Sequence, residues 1–131
     1  MLNQAKLKIK KYNWQNVELL NIDVTKYMYP KKLTGVISTF AITLIPEYED
    51  IIKKVSESLL KDKKFVILDL KKPNNWPLWL VKIGVFFAKP FGVTMDLADR
   101  KPWEVMEKYF DEVKTTEYLG GIIYIAIGTN K

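Results

Sequence analysis

Residues 35–70, GVISTFAITLIPEYEDIIKKVSESLLKDKKFVILDL, decide the fold class of this chain. Gly35 to Ile42 is β-branched and apolar almost throughout, the pattern of a strand buried on both faces. Pro46 closes that run. Glu47, Glu49 and Asp50 then supply the negative charge that favours the first turn of a helix. Ile51, Ile52, Val55, Leu59 and Leu60 give the helix its inward stripe, and Lys61 to Lys64 ends it. Phe65 to Leu70 (FVILDL) reads as a second strand buried on both faces, with Asp69 at its end. Strand, helix and strand at this spacing imply a right-handed crossover between parallel neighbours, hence an α/β sheet.

Working outward, Leu2, Ala5, Ile9 and Tyr12 recur at steps of three and four, which predicts a first helix, with Asn13 and Asn16 at its exit. Val17 to Asp23 (VELLNID) has the length and composition of a strand, and Tyr27 to Thr34, with Pro30, reads as a loop. After Asp69, Trp76 to Phe87 predicts a helix that is apolar nearly all round. Pro102 suits the first turn of a last helix, with Val105, Met106, Tyr109 and Phe110 inward. Val113 to Tyr118 and Ile122 to Gly128 read as two strands joined around Gly120 and Gly121, an antiparallel hairpin. Tyr124, on the last of these, is expected in the core.

Composition narrows the chemistry. The 131 residues contain no cysteine, which excludes disulfides, thiol nucleophiles and thiolate metal sites, and no histidine, the commonest general base near neutral pH. Reactions whose reactivity comes from a cofactor suit such a chain. Hydrophobic residues make up 48%, enough for one core. The longest apolar stretch, Trp76 to Val93, is broken by Pro77, Lys82, Lys89 and Pro90, and nothing reads as a membrane span or a secretory signal. A cytoplasmic location is the expectation. The net charge of +6 owes much to Lys6, Lys8, Lys10 and Lys11, and Arg100 is the lone arginine, which argues for a solvated helix face and against a nucleic-acid partner.

The order of elements resembles the second half of class I S-adenosylmethionine-dependent methyltransferases, of the group acting on quinone precursors, phospholipid headgroups and small molecules. Residues 17–25 (VELLNIDVT) are similar to that family's third strand, and residues 35–49 (GVISTFAITLIPEYE) to its fourth strand and following loop. Residues 59–69 (LLKDKKFVILD) resemble the helix end and fifth strand, and residues 102–128 the last helix and hairpin. The resemblance implies a partial Rossmann-like methyltransferase sheet, mostly parallel with a C-terminal antiparallel hairpin, lacking the family's first two strands, in a single domain over residues 1–131. The family's Gly-rich loop and its ribose-binding acid have no counterpart here. Gly35, the first glycine, already stands in the fourth strand, and Met1-Leu2-Asn3-Gln4-Ala5 is similar to the helix start that follows the family's second strand.

The same resemblance implies S-adenosyl-L-methionine as cofactor. Asp23 would accept from the adenine amino group beside the Val24 backbone, or else serve as a turn former. Thr39, Phe40 and Ala41 would line the methyl-donor pocket, since ligands of open α/β sheets bind at the carboxyl ends of strands; plain core is the alternative. Ile45 and Pro46 would give a dry wall. Asp69 would orient the acceptor or cap the next turn. Trp76 to Phe91, with Trp76 and Trp79, would cover a small-molecule or lipid-like acceptor, pack on the sheet, or rest on a membrane surface with Lys82 and Lys89. Arg100, followed by Lys101, Pro102 and Trp103, would bind a carboxylate or phosphate of the acceptor, or form a surface ion pair.

Two missing strands would leave a gap of roughly 14 Å between the third and fourth strands. The third strand must then slide, accept a filler from another chain, or dock poorly. A homodimer, an element swap or a complementing N-terminal fragment is therefore expected. The alternative function is a non-catalytic remnant or a small α/β binding domain that uses residues 76–91.

Overall fold

The computed structural model describes residues 2–73, 76–89, 97 and 100–131. Helix α1 (Leu2–Tyr12) is followed by a stretch without helix or strand, then strand β1 (Val36–Thr39), a single 3-10 turn (Ile42–Leu44) and helix α2 (Tyr48–Ser58). Strand β2 (Lys64–Leu70) leads to helix α3 (Leu78–Ala88), helix α4 (Pro102–Tyr109), strand β3 (Phe110–Tyr118), a turn (Leu119–Gly121) and strand β4 (Ile123–Asn130).

The sheet order is β1-β2-β4-β3. β1 and β2 are parallel, from Val36↔Phe65 to Thr39↔Leu68. β4 is antiparallel to β2, from Lys64↔Thr129 to Leu70↔Ile123, and antiparallel to β3 on its other side. Three strands therefore run one way, and β4, inserted between β2 and β3, runs against them. This is the mixed α/β sheet with a terminal hairpin that the sequence implies.

Alternation sets which face is covered, because successive strand residues point to opposite sides. Phe65 and Ile67 of β2, with Tyr124 and Ala126 of β4, meet Ile51, Ile52 and Val55 of α2 and Val105, Met106 and Phe110. Burying one such aliphatic side chain stabilises by about 1.5–3 kcal/mol. α2 and α4 lie side by side here, bridged by Lys108 Nζ to Glu49 Oε1 at 2.9 Å. Gly128 permits the close approach of α4: a Cβ there would stand 2.8 Å from Phe110 Cβ and 2.9 Å from Met106 Cε. Asn130 pins the far end, donating from Nδ2 to Leu59 O at 2.7 Å and from its backbone N to Lys63 O at 2.8 Å. On the opposite face Val66, Leu68, Leu70, Ile123, Ile125 and Ile127 stay half-buried, and Ile37 is 69% exposed.

The structure corrects several expectations. Residues 17–23 form no strand: Val17, Leu20 and Ile22 are exposed, and a strand needs a neighbour to take its N–H and C=O groups. α1 buries no residue. β1 covers four residues of the expected eight and is half-exposed, since it stands at the sheet edge. β2 is buried on one face and half-buried on the other. Leu60 lies past the helix end and is exposed, whereas Phe110 is buried as expected but as the first residue of β3.

Candidate functional site

The chain leaves β1 through a strained residue. Phe40 has φ 50°, a left-handed conformation that costs a side-chain-bearing residue about 1–3 kcal/mol. Its N–H still donates to Leu68 O at 2.8 Å, so the turn begins on the sheet and swings sharply off it. Thr39, Phe40 and Ala41 are all exposed at this carboxyl end. The 3-10 turn that follows brings Thr43 back down, where it is 3% exposed.

Thr43 is the junction of the site. Its backbone N–H donates to Asp69 Oδ2 at 3.0 Å, and the other carboxylate oxygen takes the Leu70 N–H at 2.8 Å. Its carbonyl accepts from Arg100 Nη1 at 2.8 Å. Residues from β2, from the turn after β1 and from the approach to α4 are thus tied in one chain of hydrogen bonds. Asp69 is 2% exposed and satisfied by backbone donors, as a buried carboxylate must be.

Aromatic and cationic groups flank this chain. The Trp103 ring meets the Tyr124 ring edge-on, with centroids 4.7 Å apart at 71°. Lys71 Nζ stands 5.1 Å from the Trp103 ring centre and pairs with Glu117. Tyr124 is wholly buried, and its hydroxyl lies beside that of Thr43, each without a hydrogen bond of good geometry. Burial, reinforced by the charge of Asp69, holds the Tyr124 phenol well above its ordinary value of 10.0. Trp76 is part-exposed beside Gly120, and Trp79 is 62% exposed on α3.

Asp23 is engaged locally. Its Oδ1 accepts from Thr25 N at 3.0 Å and Thr25 Oγ1 at 2.8 Å, bonds that hold its carboxyl below the ordinary value. Val24 packs against the core. The loop then docks on the second half of α2, where Lys54 Nζ donates to Thr25 O at 2.9 Å. A cleft of about 320 Å³ lies between Thr25–Tyr29 and Lys54, Glu57 and Ser58. Among the described residues no hydrogen bond joins Asp23 or Val24 to Thr39, Phe40 or Ala41.

The structure therefore ties Asp69 to Arg100 through Thr43, sets Trp103 against Tyr124, leaves Thr39, Phe40 and Ala41 exposed at the carboxyl end of β1, and bonds Asp23 to Thr25. Sequence reasoning missed Thr43 and Lys71 as members, and took Tyr124 as core alone. Thr43 carries no local signal, because its partners are 26 and 57 residues away. Phe91 of the expected cover, with the rest of residues 90–96, lies outside the described residues, as does the Phe87 side chain.

No family model matches the sequence, and no curated protein does. Solved structures match over the whole chain. The methyltransferase SibL in its apo form superposes with a TM-score of 0.71 at 16% identity, over 98% of this chain and 40% of its own. This chain carries part of the class I S-adenosylmethionine-dependent methyltransferase fold. The N-methyltransferase NodS from Bradyrhizobium japonicum WM9, in complex with S-adenosyl-L-homocysteine, gives 0.65 at 9% identity, over 98% of this chain and 61% of its own. TehB from Haemophilus influenzae gives 0.62 at 15%, over 99% and 46%. At these identities the likeness is one of fold, and the chain spans less than half the length of SibL and of TehB.

The methyltransferase fold invites a test of whether these residues fit the cofactor. A cradle for it would be a backbone concavity that a Cβ would fill. At Gly35, the one glycine near β1, a Cβ would meet Lys64 O at an ordinary 3.9 Å. Among the described residues no hydrogen bond ties Asp23 to the exposed Thr39, Phe40 and Ala41, and the glycine before β1 gives the cofactor no tight backbone cradle. Among the described residues no cluster of acids suits a metal either.

Proposed function

We propose that this chain supplies the acceptor-facing wall of an S-adenosylmethionine-dependent methyltransferase, working in the cytoplasm on a small or lipid-like acceptor. A second polypeptide segment, in another chain or another copy, completes the donor site. The observation that supports this reading is the strand order β1-β2-β4-β3 with β4 running against the rest. When bound, the cofactor supplies an already activated methyl group, so the protein's work is to position the acceptor and exclude water. That suits a site without histidine or cysteine. Arg100, fixed through Thr43 to Asp69, offers its remaining N–H groups to an anionic acceptor group. Trp103, braced by Tyr124 and Lys71, offers an apolar wall.

Two measurements test the proposal. Calorimetry of the isolated chain with S-adenosylmethionine is expected to give no heat at high micromolar cofactor; clear binding would overturn its incompleteness. A tagged copy recovered with its complement from its own host cells is expected to move a labelled methyl group from S-adenosylmethionine into an extract fraction. Arg100→Ala should cut that label about tenfold, the loss of roughly 1.4 kcal/mol for a charge-assisted hydrogen bond. Label-free fractions from the intact complex would refute methyl transfer. A non-catalytic binding role for residues 76–91 is the second reading, favoured by the exposure of Trp79 and Phe86.

A further inference from the structure

α3 is the element whose surroundings do not match its composition. A helix that is apolar all round is ordinarily buried in a core. Here Val81 is buried and Leu80 and Val85 are half-buried, while Leu78, Trp79, Ile83 and Phe86 are exposed at 53%, 62%, 47% and 72%. Those four, with Lys82, follow one another at helical steps of one, three and four, so they form one continuous outward stripe. Exposed Trp76 precedes the helix and exposed Lys89 follows it.

We infer that α3 is a docking element for the surface of an anionic lipid bilayer. Its length decides against spanning: 11 residues cover roughly 16 Å, against about 30 Å for a bilayer core. No helix among the described residues is long and apolar enough to cross a membrane. A helix lying flat, with its stripe in the headgroup boundary, buries Trp79, Ile83 and Phe86 at once. Tryptophan suits that depth, since its ring is apolar and its N–H polar. Charge selects the sign of the lipid. Lys72, Lys82 and Lys89 are exposed, and no acidic residue stands between Asp69 and Asp96. Lys82 can lay its methylenes along the stripe and lift its ammonium to phosphate level. A protein groove would match the apolar stripe equally well, but it would need acids placed to meet three separate lysines. An anionic lipid surface meets them in any register. This inference does not depend on methyl transfer.

Vesicle flotation tests it with the chain as it stands. Vesicles of phosphatidylcholine containing a quarter phosphatidylglycerol are expected to carry the protein, and neutral vesicles to bind about tenfold more weakly. High salt should erode the difference, and bromine-labelled acyl chains should quench tryptophan emission. Trp79→Glu with Phe86→Glu should abolish flotation while leaving the circular dichroism intact, because both side chains are exposed in the fold. Lys82→Glu with Lys89→Glu, which leaves the apolar stripe alone, should remove the preference for anionic vesicles. Failure to float with anionic vesicles would overturn the inference. So would binding that the Trp79 and Phe86 changes leave unaltered, or a self-associated species in solution that Trp79→Glu dissolves.

Discussion

Tyr124 is where one side chain's environment has a measurable consequence. Its ring completes the core and braces Trp103, while its hydroxyl is shut away from water with no well-formed hydrogen bond. An unpaired buried hydroxyl costs about 1–3 kcal/mol. Tyr124→Phe is therefore expected to hold or raise stability near neutral pH, by up to about 1 kcal/mol. The pH dependence follows from the raised phenol. The folded protein keeps the proton above pH 10, where the unfolded chain releases it, so this contribution is complete below 10.0 and is lost as pH rises. Urea midpoints between neutral pH and strong alkali should fall more gently for Tyr124→Phe than for the parent, with part of the slope remaining because burial also raises Tyr29. Equal slopes would refute the assignment. Asp69 was legible in the sequence as an acid at the end of an apolar strand. Its partner Thr43 was not, because the turn that lowers Thr43 onto it depends on the left-handed backbone of Phe40, which no periodicity records.

Packing between elements turns on Gly128, where β4 passes under α4. Gly128→Ala places a methyl group within 2.8 Å of Phe110 Cβ and 2.9 Å of Met106 Cε, so the helix or the ring must move. The expected cost is about 1–3 kcal/mol, read as a lower urea midpoint at unchanged slope. A neutral result would mean that α4 sits more loosely than its buried Val105 and Met106 suggest. The elements that the sequence made legible are those that carry their own periodic signal and find a neighbour. α2 has its stripe and its acidic first turn, and β2 has seven residues between two strands. Residues 17–23 have the composition of a strand and pair with no strand among the described residues, and composition alone does not report a neighbour. β1 reads as a buried central strand because its residues are chosen for one; its exposure comes from its place at the edge.

At the scale of the whole molecule, an edge and a face are left that the described residues do not close. β1 pairs with β2 on one side, and its other side meets no strand among the described residues. Ile37 stands out from it, beside the half-buried Val66, Leu68, Ile125 and Ile127. An apolar, unpaired edge of this kind recruits another strand. The isolated chain is therefore expected to self-associate at micromolar concentration through β1, with residues 17–23 of a neighbouring copy as a ready-made strand. Its charge of +6 opposes contact between copies, so association should strengthen as salt rises. Light scattering across a salt series is the measurement. Ile37→Lys should return the chain to a monomer, because a lysine on the edge repels a second copy and resists burial. Trp79→Glu should leave the assembly intact, since Trp79 belongs to α3 and not to the strand whose edge is unpaired. A parent chain that stays monomeric at every salt would show that the β1 edge is protected by something its pairing does not reveal.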